Sequence, residues 1–243
     1  MQFTSVAFIV FLLIFFSLYW VNRSPRYQNL ILILASYLFY GWWDYRFCSL
    51  IFFSSLVDFL IGKQVHLAAQ PLNRKLWLAL SLASNLGLLA TFKYFGFFAE
   101  NLNYLAASLG WNLHPVTLEI ILPVGISFYT FQTLSYTIDI YRGELKPTQS
   151  LLDYLAFVSF FPQLVAGPIE RGKDLLPQFK SARSFDRRLA EDGCRLILWG
   201  FFKKLAIADS FSVIVDQAYG NWHEASSAEL ALATVFFCLS NLL

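Results

Sequence analysis

Residues 76–98 read LWLALSLASNLGLLATFKYFGFF, an apolar run whose single charge is Lys93. At 1.5 Å per residue a helix of this run is about 35 Å long, enough to cross a hydrocarbon core of roughly 30 Å. Lys93 falls late in it, where its stem can reach toward the interface. Comparable runs occupy 3–21, 28–43, 47–62 and 117–141. The third is short and has to stand nearly upright or rely on its neighbours. Together they predict an all-α integral membrane protein, a multi-helix transmembrane bundle.

Composition agrees. The chain is 57% hydrophobic, 19% aromatic and 14% charged, with a net charge of +2. A soluble domain carries about 25% charged residues to cover its surface, so the solvent around most of this chain is lipid. The small net charge, with no basic cluster interleaved with aromatics, excludes nucleic acid as a partner. No basic stretch precedes residues 3–21 and no small-residue cleavage site follows them, which predicts a retained first span rather than a leader.

The loops sort by charge. Arg23 and Arg26 follow the first span, Lys63, Arg74 and Lys75 the third, and Arg142 and Lys146 the fifth. The loop 99–116 contains no Lys or Arg. By the positive-inside rule, 22–27, 63–75 and 142–150 face the cytoplasm and the N-terminus lies outside.

Residues 151–169, LLDYLAFVSFFPQLVAGPI, break the alternation, because both flanks are basic. A re-entrant segment keeps both flanks on one side; a proline-kinked short span is the alternative. Ser150 and Asp153 read as a capping box that starts a helix, and Pro162 is expected to end it. Irregular backbone at membrane depth survives only where protein or a water-filled cavity satisfies it. Pro162, Gln163, Gly167 and Pro168 are therefore expected to line a cavity.

Residues 170–195 carry five acids and seven bases and read as a solvated cytoplasmic loop or interfacial helix. In 196–220, Lys203 and Lys204 interrupt an apolar run, the pattern of an interfacial amphipathic helix. Ser226 and Glu229 form a second capping box before the apolar run 230–243.

Within 122–143, Gln132, Ser135, Tyr136 and Asp139 fall at i, i+3, i+4 and i+7, one face of a helix. Polar residues on a membrane helix face the bundle interior. They either line a substrate path or act as hydrogen-bonding glue between helices. Asp139 and Arg142 are spaced to pair. Asp58 is read as a pathway residue, a partner for a nearby base, or a residue near the cytoplasmic rim, the last being favoured. His66, His114 and His223 sit in loops or turns, outside any metal-ligand or catalytic spacing. Cys48, Cys194 and Cys238 are dispersed apolar filler. No P-loop, nucleophile elbow or dinucleotide fingerprint occurs, and no metal or bound cofactor is expected.

The run LPVGISFYTFQTLSYTIDIYRG at 122–143, followed by FVSFFPQLVAGPIER at 157–171, resembles the membrane-bound O-acyltransferase family. Within it, the chain looks like the bacterial branch that O-acetylates alginate and other exopolysaccharides. ASYLFYGWW at 35–43, FKYFGFF at 92–98 and WGFFKKLAIAD at 199–209 fit the same group. The resemblance reaches to about residue 225 and makes residues 1–243 the N-terminal part of such a domain. It implies a helical bundle around a funnel lined by Gln132, Tyr136, Asp139, Arg142, Pro162, Gln163, Gly167 and Pro168. It also implies a bacterial inner-membrane, multi-pass location and an acyl (acetyl) donor on the cytoplasmic side. The acceptor is a hydroxyl group or a periplasmic acetyl-accepting protein serving the exopolysaccharide machinery.

In this family a histidine in a Trp-His-Gly-type motif is the general base. That motif is missing here, and His223 lacks its surroundings, so no catalytic residue is assigned. The chain is expected to be truncated before that histidine and inactive alone. A non-catalytic fragment or docking subunit is the second reading. A transporter subunit is the third, disfavoured by the lack of an inverted repeat.

Overall fold

The computed structural model describes residues 3–111, 121–164, 167–168 and 170–242, and every regular element among them is a helix. Two compact units divide the chain, Met1–Arg183 and Ser184–Leu243.

The first unit opens with α1 (Val6–Tyr19) and α2 (Pro25–Asp44). Ser5 caps α1, its hydroxyl accepting from the Phe8 N–H at 3.2 Å. Pro25 opens α2 at a position where its missing N–H costs nothing. Then come α3 (Arg46–Leu67) and α4 (Pro71–Leu89), which runs through a π-helical stretch at Ala90–Tyr94 into α5 (Phe95–Ser108). Two helices are long and apolar enough to cross a membrane, Arg46–Leu67 and the continuous Pro71–Ser108. The latter corrects the expected loop at 99–116, whose first half is helical. His66 likewise sits in the last turn of α3 rather than in a loop. The π-helical stretch has a local cause: the Thr91 hydroxyl donates to the Gly87 carbonyl at 2.9 Å, drawing on the backbone ladder.

The fifth predicted run differs most. Residues 117–120, like His114, lie outside the described residues. The helix here, α6 (Ile126–Arg142), starts only after Gly125, whose φ of 74° ends any helical path from Pro123. Helix α7 (Leu151–Val158) is capped by Ser150, whose hydroxyl accepts from the Asp153 N–H at 3.2 Å. The reciprocal half of that box is unmade, because the Asp153 carboxylate accepts from Asn29 at 2.7 Å. After a break at 159–160, α8 (Phe161–Leu164) resumes. Pro162 thus lies in the first turn of a new helix instead of ending the old one, since a first-turn proline forfeits no ladder bond. Helix α9 (Gly172–Lys180) closes the unit's regular structure.

Helices α3, α4 and α6 pack on one another, and α7 packs on α2, α3 and α9. Tyr136, Tyr154, Phe157, Val65 and Leu176 are buried at the centre. Gly62 is the tight point: a Cβ there would lie 2.8 Å from the Tyr136 ring. A second cluster, Phe8, Phe11 and Phe39 around Phe161, ties α1 and α2 to α8.

The second unit holds α10 (Arg187–Phe202), a π-helical stretch Lys203–Ala208, α11 (Asp209–Gly220) and α12 (Ser227–Leu242). Helix α10 makes the end of 170–195 helical, one of the two readings given for it, and the Asp186 carboxylate starts it by accepting from the N–H groups of Arg188 and Leu189 at 2.8 and 3.3 Å. None of its residues is buried within the unit. Helices α11 and α12 pair, with Phe211 stacked on Phe236 at 4.7 Å. The Ser226–Glu229 box forms in full: Glu229 accepts from Ser226 N at 2.7 Å, and Ser226 Oγ accepts from Glu229 N at 3.3 Å. The Ser226 N–H and hydroxyl, both donating to the Glu229 carboxylate, hold it below its usual range. Substituting Asp186 by alanine should cost about 1 kcal/mol, the ordinary value of an N-cap. It should register as faster amide exchange over the first turn of α10, with the α11–α12 pair unaltered.

Candidate functional site

The break between α7 and α8 is where the polar groups of three helices converge. Breaking a helix leaves terminal carbonyls and N–H groups unpaired, and at this break they are taken up one by one. The Leu155 carbonyl accepts from both the N–H and the hydroxyl of Ser159, at 2.9 and 2.8 Å. The Phe157 carbonyl accepts from the Gln132 amide of α6 at 2.8 Å. At the start of α8, the Phe161 N–H donates to the Ser36 hydroxyl of α2 at 3.2 Å.

Gln163 continues the chain outward. Its Oε1 receives Gln132 Nε2 at 3.4 Å, and its own Nε2 donates to the Pro168 carbonyl at 2.8 Å. One amide ladder therefore runs from the buried face of α6 to the far side of the break. On the other flank, Tyr40 donates to the Val124 carbonyl at 2.6 Å, fixing the turn into α6. A Cβ on Gly125 would collide with the Leu164 carbonyl oxygen, so this turn and α8 touch backbone to backbone.

Outside the ladder lies an open cleft of about 350 Å³. Pro162, Gln163, Gly167 and Pro168 line it, joined by Phe160 and Leu175 and by the polar Glu170, Asp174 and Gln178. Four of the predicted lining residues thus share one cleft, and Gln132 joins them through Gln163. Val165, Ala166 and Ile169 lie outside the described residues.

The remaining three lie elsewhere. Tyr136 is buried, 4.6 Å from the Tyr154 ring, with its hydroxyl accepting the Thr148 N–H at 3.1 Å. It packs the bundle. Asp139 is buried, whereas Arg142, the last residue of α6, is exposed. No ion pair joins them among the described residues: the helix ends at Gly143, φ 79°, and Arg142 faces outward. Ser135 turns its hydroxyl back on the Gln132 carbonyl.

A second polar centre went unread in the sequence. Asp58 of α3 is fully buried, and no ion pair engages it among the described residues. It accepts from Ser81 Oγ at 2.7 Å and from Asn85 Nδ2 at 2.9 and 2.8 Å, both on α4. The Asn85 carbonyl in turn receives the Thr133 hydroxyl of α6 at 3.1 Å. Ser81 and Asn85 are four apart on one apolar run, and that spacing was the available signal.

On the surface, Arg183 reaches back to the Asn29 side chain, which also donates to Asp153 and to the Phe179 carbonyl at 2.9 Å. Burial pulls the Arg183 guanidinium below its usual range. Asp44 is held low by its hydrogen bonds from Arg46. No group of three or more potential metal ligands occurs among the described residues.

Comparison with known proteins places these features. No family model matches the chain, and no solved structure matches it significantly. Curated relatives do. The probable alginate O-acetylase AlgI of Pseudomonas putida is 41% identical over 224 residues, covering 90% of this chain and 45% of that protein. The Pseudomonas aeruginosa counterpart is 39% identical over 221 residues, covering 90% and 42%. The peptidoglycan O-acetyltransferase of Helicobacter pylori is 34% identical over 220 residues, covering 80% and 41%. The chain thus spans less than half the length of the curated relatives it matches. Over nine-tenths of itself it is a relative of the alginate O-acetylases, and the likeness of its motifs to the membrane-bound O-acyltransferases holds.

Proposed function

We propose that the chain supplies the first half of a membrane-embedded O-acetyltransferase acting on an extracellular polysaccharide, alginate or a similar polymer. The observation that carries this is 41% identity to a probable alginate O-acetylase over 90% of the chain. The H. pylori relative, a peptidoglycan O-acetyltransferase, supports the broader class of O-acetyl transfer to a glycan.

In this reading the chain crosses the bacterial inner membrane several times with its N-terminus outside, and 151–169 dips in from the cytoplasmic side and returns. Supporting this are the alternation of basic loops and the protein partners that the Leu155 and Phe157 carbonyls and the Phe161 N–H find at the α7–α8 break. The cleft beside Gln163 and Pro168 forms part of the funnel wall. An acyl donor enters from the cytoplasm and a hydroxyl oxygen attacks the acyl carbonyl. The new ester bond forms as the bond to the donor breaks, and the hydroxyl proton passes to a general base. Gln132 and Gln163 hold the irregular segment in place during transfer and take no proton. The acetyl group goes to the polymer or to a periplasmic acetyl-accepting protein of the same machinery.

The test is a chimera in which this chain replaces the aligned portion of the P. putida relative, expressed in a strain deleted for that relative. Acetyl ester on secreted alginate should return. A Gln163→Leu version should accumulate equally yet lose about tenfold in acetylation, the effect of unpairing one buried amide. A well-inserted chimera that restores no acetyl ester rejects the reading.

A further inference from the structure

Helices α1 and α2 enclose a groove of about 540 Å³ along their outer side. Its walls are apolar throughout: Val10, Ile14 and Leu18 on one helix, Leu34, Leu38 and Trp42 on the other. These rims are exposed, with Ile14 at 56% and Leu38 at 59%. The groove extends along α1 from Val6 to Leu18, about 18 Å at the rise of a helix, which is close to one leaflet of a core roughly 30 Å thick.

The turn at one end of the groove is basic and fixed. Arg23 follows Leu18 by five residues, and Arg26 precedes Ile31, a lining residue of α2, by five. Asn22 accepts the Ser24 N–H at 2.8 Å, Pro25 starts α2, and Tyr27 donates to the Leu18 carbonyl at 3.1 Å. Both arginines are exposed, and no ion pair engages either among the described residues. Guanidinium groups favour phosphate, which they meet with paired N–H donors.

We propose that this groove holds one acyl chain of an anionic glycerophospholipid, with its phosphate between Arg23 and Arg26. An all-apolar channel about one leaflet deep, leading at one end into a turn that carries two exposed arginines, matches the two ends of that molecule. Neutral lipid shares the tail but gains less at the arginines. The assignment depends on the proposed membrane placement of α1 and α2, so the test separates the two.

The chain is reconstituted in phosphatidylcholine vesicles doped with phosphatidylglycerol carrying a mid-chain diazirine, then irradiated and mapped by peptide mass spectrometry. Label should concentrate on Ile14, Leu34 and Leu38 over Phe53, an exposed residue of α3. The double variant Arg23→Gln/Arg26→Gln should lower groove labelling about tenfold, the loss expected when charge-assisted phosphate contacts go. Leu38→Trp, which fills the groove from an exposed position, should abolish it and leave Phe53 labelling unchanged. Equal labelling of Ile14 and Phe53, indifferent to the arginines, overturns the lipid site while the membrane placement stands. No labelling of any helix overturns both.

Discussion

Replacing Asn85 by leucine should lower the stability of the bundle by about 1–3 kcal/mol, the range for leaving a buried polar group without its partner. Asn85 donates to both oxygens of Asp58, and no ion pair engages that carboxyl among the described residues. With leucine there, the carboxyl loses the donor to both its oxygens, keeps the Ser81 hydroxyl, and stays shut away from water. The readout is a thermal melt of the detergent-solubilised protein followed by size-exclusion elution. The double variant Asp58→Leu/Asn85→Leu should recover most of the loss, because removing both partners together leaves no unpaired charge. Thr133 can still donate to the Thr130 carbonyl, at 3.1 Å. A double variant as unstable as the single one rejects the account.

Gly125→Ala should be the most damaging small substitution in the first unit. Its φ of 74° is unfavourable for any residue with a Cβ, by about 1–2 kcal/mol. The added carbon also has nowhere to go, because the Leu164 carbonyl occupies its place. Turn and α8 must part, so over-packing adds about 1–3 kcal/mol and the total should reach about 2–5 kcal/mol. Gly143→Ala provides the control. It has a φ of 79° but nothing within 4 Å of a Cβ, so it should show the conformational cost alone. Equal melting shifts for the two variants exclude the backbone contact as a determinant of the fold.

What could be read ahead of the structure was what hydrophobic period and local spacing encode. The helices at 28–43, 47–62 and 76–98 stand, because an uninterrupted apolar run leaves few alternatives. The buried face of α6 was legible from Gln132, Tyr136 and Asp139, whose polarity is too costly to leave in an apolar setting. Features that failed depend on partners far along the chain. Asp153 was read as half of a capping box, yet its carboxylate answers Asn29, 124 positions away. Pro162 was read as a stop, yet the break had already come at 159–160, where Ser36 waits to receive the Phe161 N–H. Asp58 was read as rim-dwelling because one helix turn separates it from Gly62, at the end of its apolar run. Its donors come from the next helix.

That last arrangement also bears on how the protein is made. Asp58 and Asn85 are 27 residues apart. At ordinary rates of synthesis, the ribosome delivers the second about 1–5 s after the first. Until then α3 presents an unescorted carboxylate to whatever machinery inserts it. On the proposed membrane placement, the α3–α4 hairpin is therefore the natural unit of release into the bilayer. Helix α6 arrives later to a carboxylate already neutralised in its hydrogen bonding, and contributes only Thr133 to close the outer side of Asn85.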